Sequence, residues 1–114
     1  MKIGFIGLGN VGGKLANSLL RNKFDLTVRD LEKNLTNSFK NKGAKIANTA
    51  KELAEQTDLI ITCLPSPEIC AEVMESKNGV INGLSKNKIW LEMSTTDESE
   101  VKRLGKLVLN KEAI

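Results

Sequence analysis

Residues 3–12 read Ile-Gly-Phe-Ile-Gly-Leu-Gly-Asn-Val-Gly, a short apolar strand running directly into Gly7-x-Gly9-x-x-Gly12. Apolar residues at Val11, Leu15, Ala16, Leu19 and Leu20 then recur at helical spacing, which predicts a strand over Lys2 to Ile6 and a helix over residues 11–22 packed back on it. A strand that turns on glycine into a helix opens a βα unit, and this constrains the rest of the chain to layers of sheet and helix.

The later pattern repeats the alternation. Phe24, Leu26 and Val28 predict a second strand ending at Asp30, and Leu31, Leu35 and Phe39 mark one face of a second helix that Gly43 closes. Lys45 to Ala47 is a short third strand. Thr49-x-x-Glu52 is a capping signature for a helix over 50–56. Leu59 to Leu64, an apolar run between Asp58 and Pro65, is expected to be the central fourth strand, covered on both faces. Ser66-Pro67-Glu68 supplies an N-cap, a first-turn proline and an acid for a helix whose inner face is Ile69, Val73 and Met74. A looser stretch over 76–87 leads to a fifth strand at Ile89 to Leu91. Caps at Thr95 to Asp97 open a last helix carrying Val101, Leu104, Leu107 and Val108. Strands alternating with helices imply an α/β fold of the Rossmann type, a doubly wound, mainly parallel sheet with helices on both faces.

The 114 residues, 40% of them hydrophobic, suffice for one core, so residues 1–114 are read as a single domain. A net charge of +3 from 17 basic and 14 acidic residues, without a basic stripe, argues against nucleic acid. The longest apolar run is too short to cross a bilayer, and the strand beginning at residue 3 leaves no room for a leader, so a cytoplasmic protein is expected. Cys63 and Cys70 match neither a redox pair nor a metal knuckle and are read as reduced structural thiols, with no metal site expected. Histidine is absent, which removes His-dependent acid–base chemistry from the chain.

The glycine turn has a specific chemistry. Where a helix begins, its first N–H groups lack internal partners and its dipole adds about half a positive charge, which suits a diphosphate. Gly7 permits the turn, Gly9 lets phosphate approach the backbone, and Gly12 lets the helix pack closely on the sheet. The first turn, Val11-Gly12-Gly13-Lys14, contains no acid of its own. Asp30, 18 positions beyond Gly12, is placed to accept hydrogen bonds from the adenosine ribose and to repel a 2′-phosphate. The expected ligand is therefore a nicotinamide dinucleotide, NAD in preference to NADP, although Arg29 and Lys33 lie near enough to attract a phosphate.

Phe5 to Gly12 with Leu15-Ala16, Gly43-Ala44, Thr57 to Pro65, Asn78-Gly79-Val80 and Ser94-Thr95 together resemble the cofactor domain of the β-hydroxyacid dehydrogenases, the family of 3-hydroxyisobutyrate dehydrogenase, tartronate semialdehyde reductase and 6-phosphogluconate dehydrogenase. Val11 and Leu15 stand where that signature usually has methionine, Glu92-Met93 replaces an Asp-centred pair, and Glu98 stands where proline is common. The resemblance implies cofactor contacts from Gly7, Leu8, Gly9, Asn10, Val11, Gly12, Asp30, Leu64, Pro65 and Thr95, with Ser94 toward a substrate. It also implies a sixth strand and a helical domain carrying a catalytic lysine, which this sequence lacks. Lys14, Lys102 and Lys106 read as solvated helix charges, so no catalytic residue is expected here. The chain is then the cofactor half of an oxidoreductase for a small β-hydroxyacid, expected to bind cofactor without turnover and to self-associate through surface the missing part would cover. A non-catalytic dinucleotide-binding or interaction module, and a relative of imine or ketol reductases, are the alternatives.

Overall fold

The computed structural model describes residues 1–93 and 97–114. Five parallel strands are arranged in the order β3-β2-β1-β4-β5, with β1 at Lys2–Ile6, β2 at Asp25–Arg29, β3 at Lys45–Ile46, β4 at Leu59–Thr62 and β5 at Ile89–Glu92. The helices between them are α1 (Asn10–Arg21), α2 (Lys33–Asn41), α3 (Ala50–Gln56) and α4 (Pro67–Glu75), with α5 (Glu98–Asn110) after β5. The order grows outward in one direction from β1 through β2 and β3, then in the other through β4 and β5. This is the doubly wound Rossmann-type sheet expected from the sequence.

Two apolar layers sandwich it. Ile3, Phe5, Val28 and Ile61 face α1 and α2 through Ala16 and Phe39, while Ile6 and Ile60 face Leu53, Met74, Leu104 and Val108 of α3, α4 and α5. Adjacent residues Ile60 and Ile61 enter opposite layers, because side chains alternate across a strand. The two-sided burial expected of β4 is thus observed.

Several local expectations are corrected. β2 spans Asp25–Arg29, so Phe24 and Asp30 lie just outside the strand expected to run from one to the other, and Leu26, Thr27 and Val28 are all buried. Helices cover both of its faces, and Thr27 is enclosed between them. Leu31 does not belong to the inner face of α2 but is 86% exposed, since the chain turns after Asp30 and the helix starts only at Lys33. β4 ends at Thr62 rather than Leu64, though the Cys63 N–H still donates to the Ile6 carbonyl at 2.9 Å. The loose 76–87 stretch contains a single 3-10 turn at Ile81–Gly83 over which Val80 and Leu84 are buried.

Local signals set the helix ends. The Thr49 hydroxyl accepts the Glu52 N–H at 3.0 Å, and Ser66 accepts the Ile69 N–H at 3.2 Å with Pro67 in the first turn. Gly43 takes φ +103 just beyond the α2 C-cap, a conformation glycine adopts without strain. Lys14, Lys102 and Lys106 are exposed as expected, Lys102 paired with Glu98 at 3.0 Å. Lys88 behaves differently: its ammonium reaches the Ala54 and Glu55 carbonyls and closes the end of α3. Burial pushes its pKa below the ordinary value.

Candidate functional site

The register makes the site. Arg29 pairs with Ile6, Ile6 with Thr62, and Thr62 with Glu92, so four strands end level with one another. The residues that follow form one rim: Gly7 after β1, Asp30 after β2, Cys63 after β4 and Met93 after β5. Strand order reverses between β1 and β4, and a crevice of about 880 Å³ opens at that switch point. Ligands of α/β sheets collect at such a place, and the volume lies in the range of small-molecule sites.

The glycine turn forms the floor. Gly7 has φ +100, and a Cβ there would collide with the Cys63 carbonyl. Its N–H donates to the Arg29 carbonyl at 3.1 Å, tying β1 to β2 as the chain turns away. A Cβ at Gly12 would strike the Gly7 carbonyl, so α1 begins in close contact with the turn. At Gly9 a Cβ would meet nothing within 4 Å, and the residue is exposed on the crevice side. Gly9 is also the N-cap of α1, with no side-chain cap and no acid in the first turn. The opening N–H groups of α1 therefore face the crevice with neither a carboxylate nor a hydroxyl placed to satisfy them.

Asp30 holds the neighbouring loop. Its Oδ2 accepts the Leu8 N–H at 2.7 Å and its Oδ1 accepts the Glu32 N–H at 2.9 Å. One carboxylate thus staples the glycine turn to the start of α2. The Leu8 side chain is only 2% exposed and packs in the core, and its N–H is taken up by Asp30, so Leu8 stands behind the crevice lining. Val11, counted among the core positions of α1, is 64% exposed and lines the crevice instead.

Of the sequence-predicted residues, Gly7, Gly9, Asn10, Val11, Gly12, Asp30, Leu64 and Pro65 line one crevice. Thr95 and Ser94 lie outside the described residues. Sequence reasoning missed the opposite wall. Thr49 and Ala50 come from the start of α3, while Ile69, Glu72 and Val73 come from α4, with Ser76 and Asn78 beyond it. Ile69, assigned to the inner face of α4, is 38% exposed and turned to the crevice, and Cys70 and Met74 are the buried pair. The wall is assembled from two crossovers, β3 to β4 and β4 to β5, and the capping signature at Thr49 marks a helix start without showing that it faces α4 across the crevice. Glu32 and Leu31 were likewise legible only as helix positions.

Among the described residues, the titratable groups of the crevice lining are Arg29, Asp30, Glu32, Cys63 and Glu72. Cys63 is half-buried at the rim, and its thiol is pushed up by burial and then by the negative charge of Glu92. Cys70 donates to Glu92 Oε2 at 2.8 Å, and burial, reinforced by that bond, raises its pKa far above the ordinary range. Glu92 also accepts the Thr62 hydroxyl at 3.1 Å, and Thr62 accepts the Trp90 indole N–H at 2.9 Å, which locks the ends of β4 and β5 together. Among the described residues no lysine lines the crevice and no group of three or more Cys, Asp or Glu is placed to hold a metal ion.

Comparison with known proteins agrees with this geometry. Residues 2–113 match the family described as the NAD binding domain of 6-phosphogluconate dehydrogenase. The mitochondrial 3-hydroxyisobutyrate dehydrogenase of Mus musculus is 37% identical over 106 residues, 93% of this chain and 32% of that protein. A 3-hydroxyisobutyrate dehydrogenase structure from Mycobacterium tuberculosis superposes with TM-score 0.89 at 19% identity over 99% of this chain and 38% of its own. An imine reductase structure from a Pseudomonas species gives TM-score 0.88 at 26% identity, again over 99% of this chain and 38% of its own. The chain spans about a third of the length of the curated relatives it matches. Among the described residues no helix is long and apolar enough to cross a membrane. With its glycine turn, five-stranded order and a match across nearly all its residues, the chain belongs to the family of the NAD-binding domain of 6-phosphogluconate dehydrogenase, as a homologue of the 3-hydroxyisobutyrate dehydrogenases.

Proposed function

We propose that the chain is the cofactor half of an NAD-dependent oxidoreductase acting on a small β-hydroxyacid such as 3-hydroxyisobutyrate. The observation that carries this reading is the start of α1: exposed helix N–H groups without a cap or an acid, beside a Gly9 whose missing Cβ leaves room. A diphosphate would supply the negative charge that this helix end lacks. In this reading Gly7, Leu8, Gly9, Asn10, Val11 and Gly12 form its cradle and Asp30 meets the adenosine ribose, each carboxylate oxygen keeping a second lone pair beyond its main-chain bond. Leu64 and Pro65 cover the cofactor at the end of β4, and the family resemblance assigns Thr95 to the nicotinamide ribose or ring and Ser94 to the substrate.

When bound, the nicotinamide supplies the hydride chemistry. This chain's part is to bind and orient it and to keep water from the apolar side of the crevice formed by Val11, Leu64 and Ile69. By the family resemblance, proton transfer is assigned to a lysine of a helical domain. Loss of a general base alone typically costs about 10²–10⁴ in rate. The 114 residues are therefore expected to bind NAD without turnover. The free thiols fit a reducing compartment, and cell fractionation decides between the cytoplasm and the mitochondrial placement carried in the relatives' names.

The test is a titration of NAD and NADH against the chain and its Gly9→Val variant, followed by calorimetry. One saturable site that Gly9→Val weakens at least tenfold is expected. Absence of binding by the unmodified chain, or equal binding by the variant, refutes the cradle; steady turnover of 3-hydroxyisobutyrate by the isolated chain refutes the division of labour.

A further inference from the structure

Within the dinucleotide reading, on which this inference rests, the diphosphate sits at the start of α1 and the adenosine half at the end of β2. The other half then crosses the point where strand order reverses and lies over the ends of β4 and β5. We propose that Glu92 is a positioning residue for that nicotinamide half, its carboxylate fastening together the three segments that bound this end of the crevice. Glu92 is the last residue of β5 and stands half-buried behind the lining. Its Oε2 accepts the Thr62 hydroxyl at 3.1 Å and the Cys70 thiol at 2.8 Å. Each of these residues is next in sequence to one that lines the crevice: Thr62 precedes Cys63 at the end of β4, Cys70 follows Ile69 in α4, and Glu92 precedes Met93.

The direction of the hydrogen bonds makes the carboxylate the anchor. The Trp90 indole can only donate, and it donates to the Thr62 hydroxyl at 2.9 Å. Thr62 therefore directs its own hydroxyl proton to Glu92, and Trp90, Thr62 and Cys70 form a set of donors that converges on one charge. Thr62 is 0% and Cys70 1% exposed, so water cannot take the place of the carboxylate oxygen at either group. Hydrogen bonds to a charge are stronger than neutral ones, and a shielded site strengthens them further. The main chain adds its own tie, from the Met93 N–H to the Thr62 carbonyl at 2.8 Å. Without the carboxylate, the end of β4, the start of α4 and the end of β5 are free to shift against one another. The glycine turn and Asp30 are held by other bonds and keep their shape. Glu92 thus bears on one end of the cofactor.

The experiment measures dissociation constants of NADH and of ADP-ribose, which lacks the nicotinamide, by calorimetry for the unmodified chain, Glu92→Leu, Glu92→Gln and Thr62→Val. The emission of the bound reduced nicotinamide is recorded alongside. The unmodified chain is expected to bind NADH more tightly than ADP-ribose. Glu92→Leu is expected to weaken NADH about three- to tenfold and to leave ADP-ribose within about twofold, the span typical of coupling through a packed, hydrogen-bonded network. The gain in nicotinamide emission on binding should shrink with it. Thr62→Val, which keeps the shape and removes the hydroxyl, should act in the same direction, and it decides on its own if Glu92→Leu does not fold. Glu92→Gln, which retains an acceptor oxygen, should recover part of the NADH affinity. An unchanged NADH constant in Glu92→Leu or in Thr62→Val, or a loss shared equally by ADP-ribose, overturns the assignment. Equal binding of the two ligands by the unmodified chain overturns it as well, because the nicotinamide half is then not held. If the unmodified chain binds neither ligand, the underlying reading falls, an outcome distinct from binding that does not depend on Glu92.

Discussion

Replacing Gly12 by alanine adds one methyl group at the point where α1 meets the end of β1. Two effects of opposite sign compete. Gly12 lies inside a helix with ordinary helical backbone, so alanine should favour the helix by about 0.5–1 kcal/mol. The added Cβ would stand 3.3 Å from Phe5 Cε1 and 3.0 Å from the Gly7 carbonyl carbon, and nearer still to the Gly7 oxygen. Backbone cannot rotate aside as a side chain can. The start of α1 must move, and overpacking of this kind costs typically 1–3 kcal/mol. The net expectation is a loss of about 1–2 kcal/mol, or roughly 4–8 °C in melting temperature for a chain of this size. Gly105 in α5 is the matched control, because a Cβ there meets nothing within 4 Å and only the helix preference remains. Gly105→Ala is expected to raise stability by about 0.5–1 kcal/mol. Urea and thermal unfolding of both variants, followed by circular dichroism, read the signs directly. If Gly12→Ala were stabilising like Gly105→Ala, close approach between the helix and the turn would not be what requires glycine, and the account of the cradle's shape would be wrong.

The remaining expectations are more local. Thr49→Ala removes the acceptor for the Glu52 N–H and should lower stability by about 1 kcal/mol in urea titration, with no effect meaning that water replaces the hydroxyl without loss. The raised thiol pKa values of Cys63 and Cys70 keep both neutral in the folded chain, whereas unfolded thiols ionise near the ordinary value of 9.0. The unfolded state then holds fewer protons, so this contribution to stability is complete below about pH 9 and falls as pH rises above it; a stability curve flat through pH 10, or rapid alkylation of the native chain at pH 8, contradicts it. Self-association is expected through exposed apolar surface at this end of the sheet, with Leu91 on β5 and Leu109 on α5, and light scattering that stays monomeric to high concentration would exclude it.

The order of strands and helices was readable because each element carries its own periodicity and its own punctuation. The apolar run at Leu59 to Leu64, the caps at Thr49 and Ser66, and Gly43 act through neighbours in sequence, so their effects are local. The glycine turn was readable for the same reason, since the roles of Gly7 and Gly12 follow from a strand and a helix only a few residues apart. Errors arose where the same local signal fits two environments. Ile69 and Val11 sit at helical core spacing, yet each lies where a helix begins beside the crevice, and the sheet beneath it has already ended.

By itself, then, the sequence determined the alternation of layers, the diphosphate-shaped turn and the acid after the second strand. Only the tertiary structure decided that four strands end in one register, that α3 and α4 close the far side of the crevice, and that Asp30 grips Leu8 and Glu32 while Glu32 faces outward. These are contacts between residues distant in the chain or between a side chain and a particular backbone geometry. Their existence depends on how the sheet assembles, which no local pattern encodes.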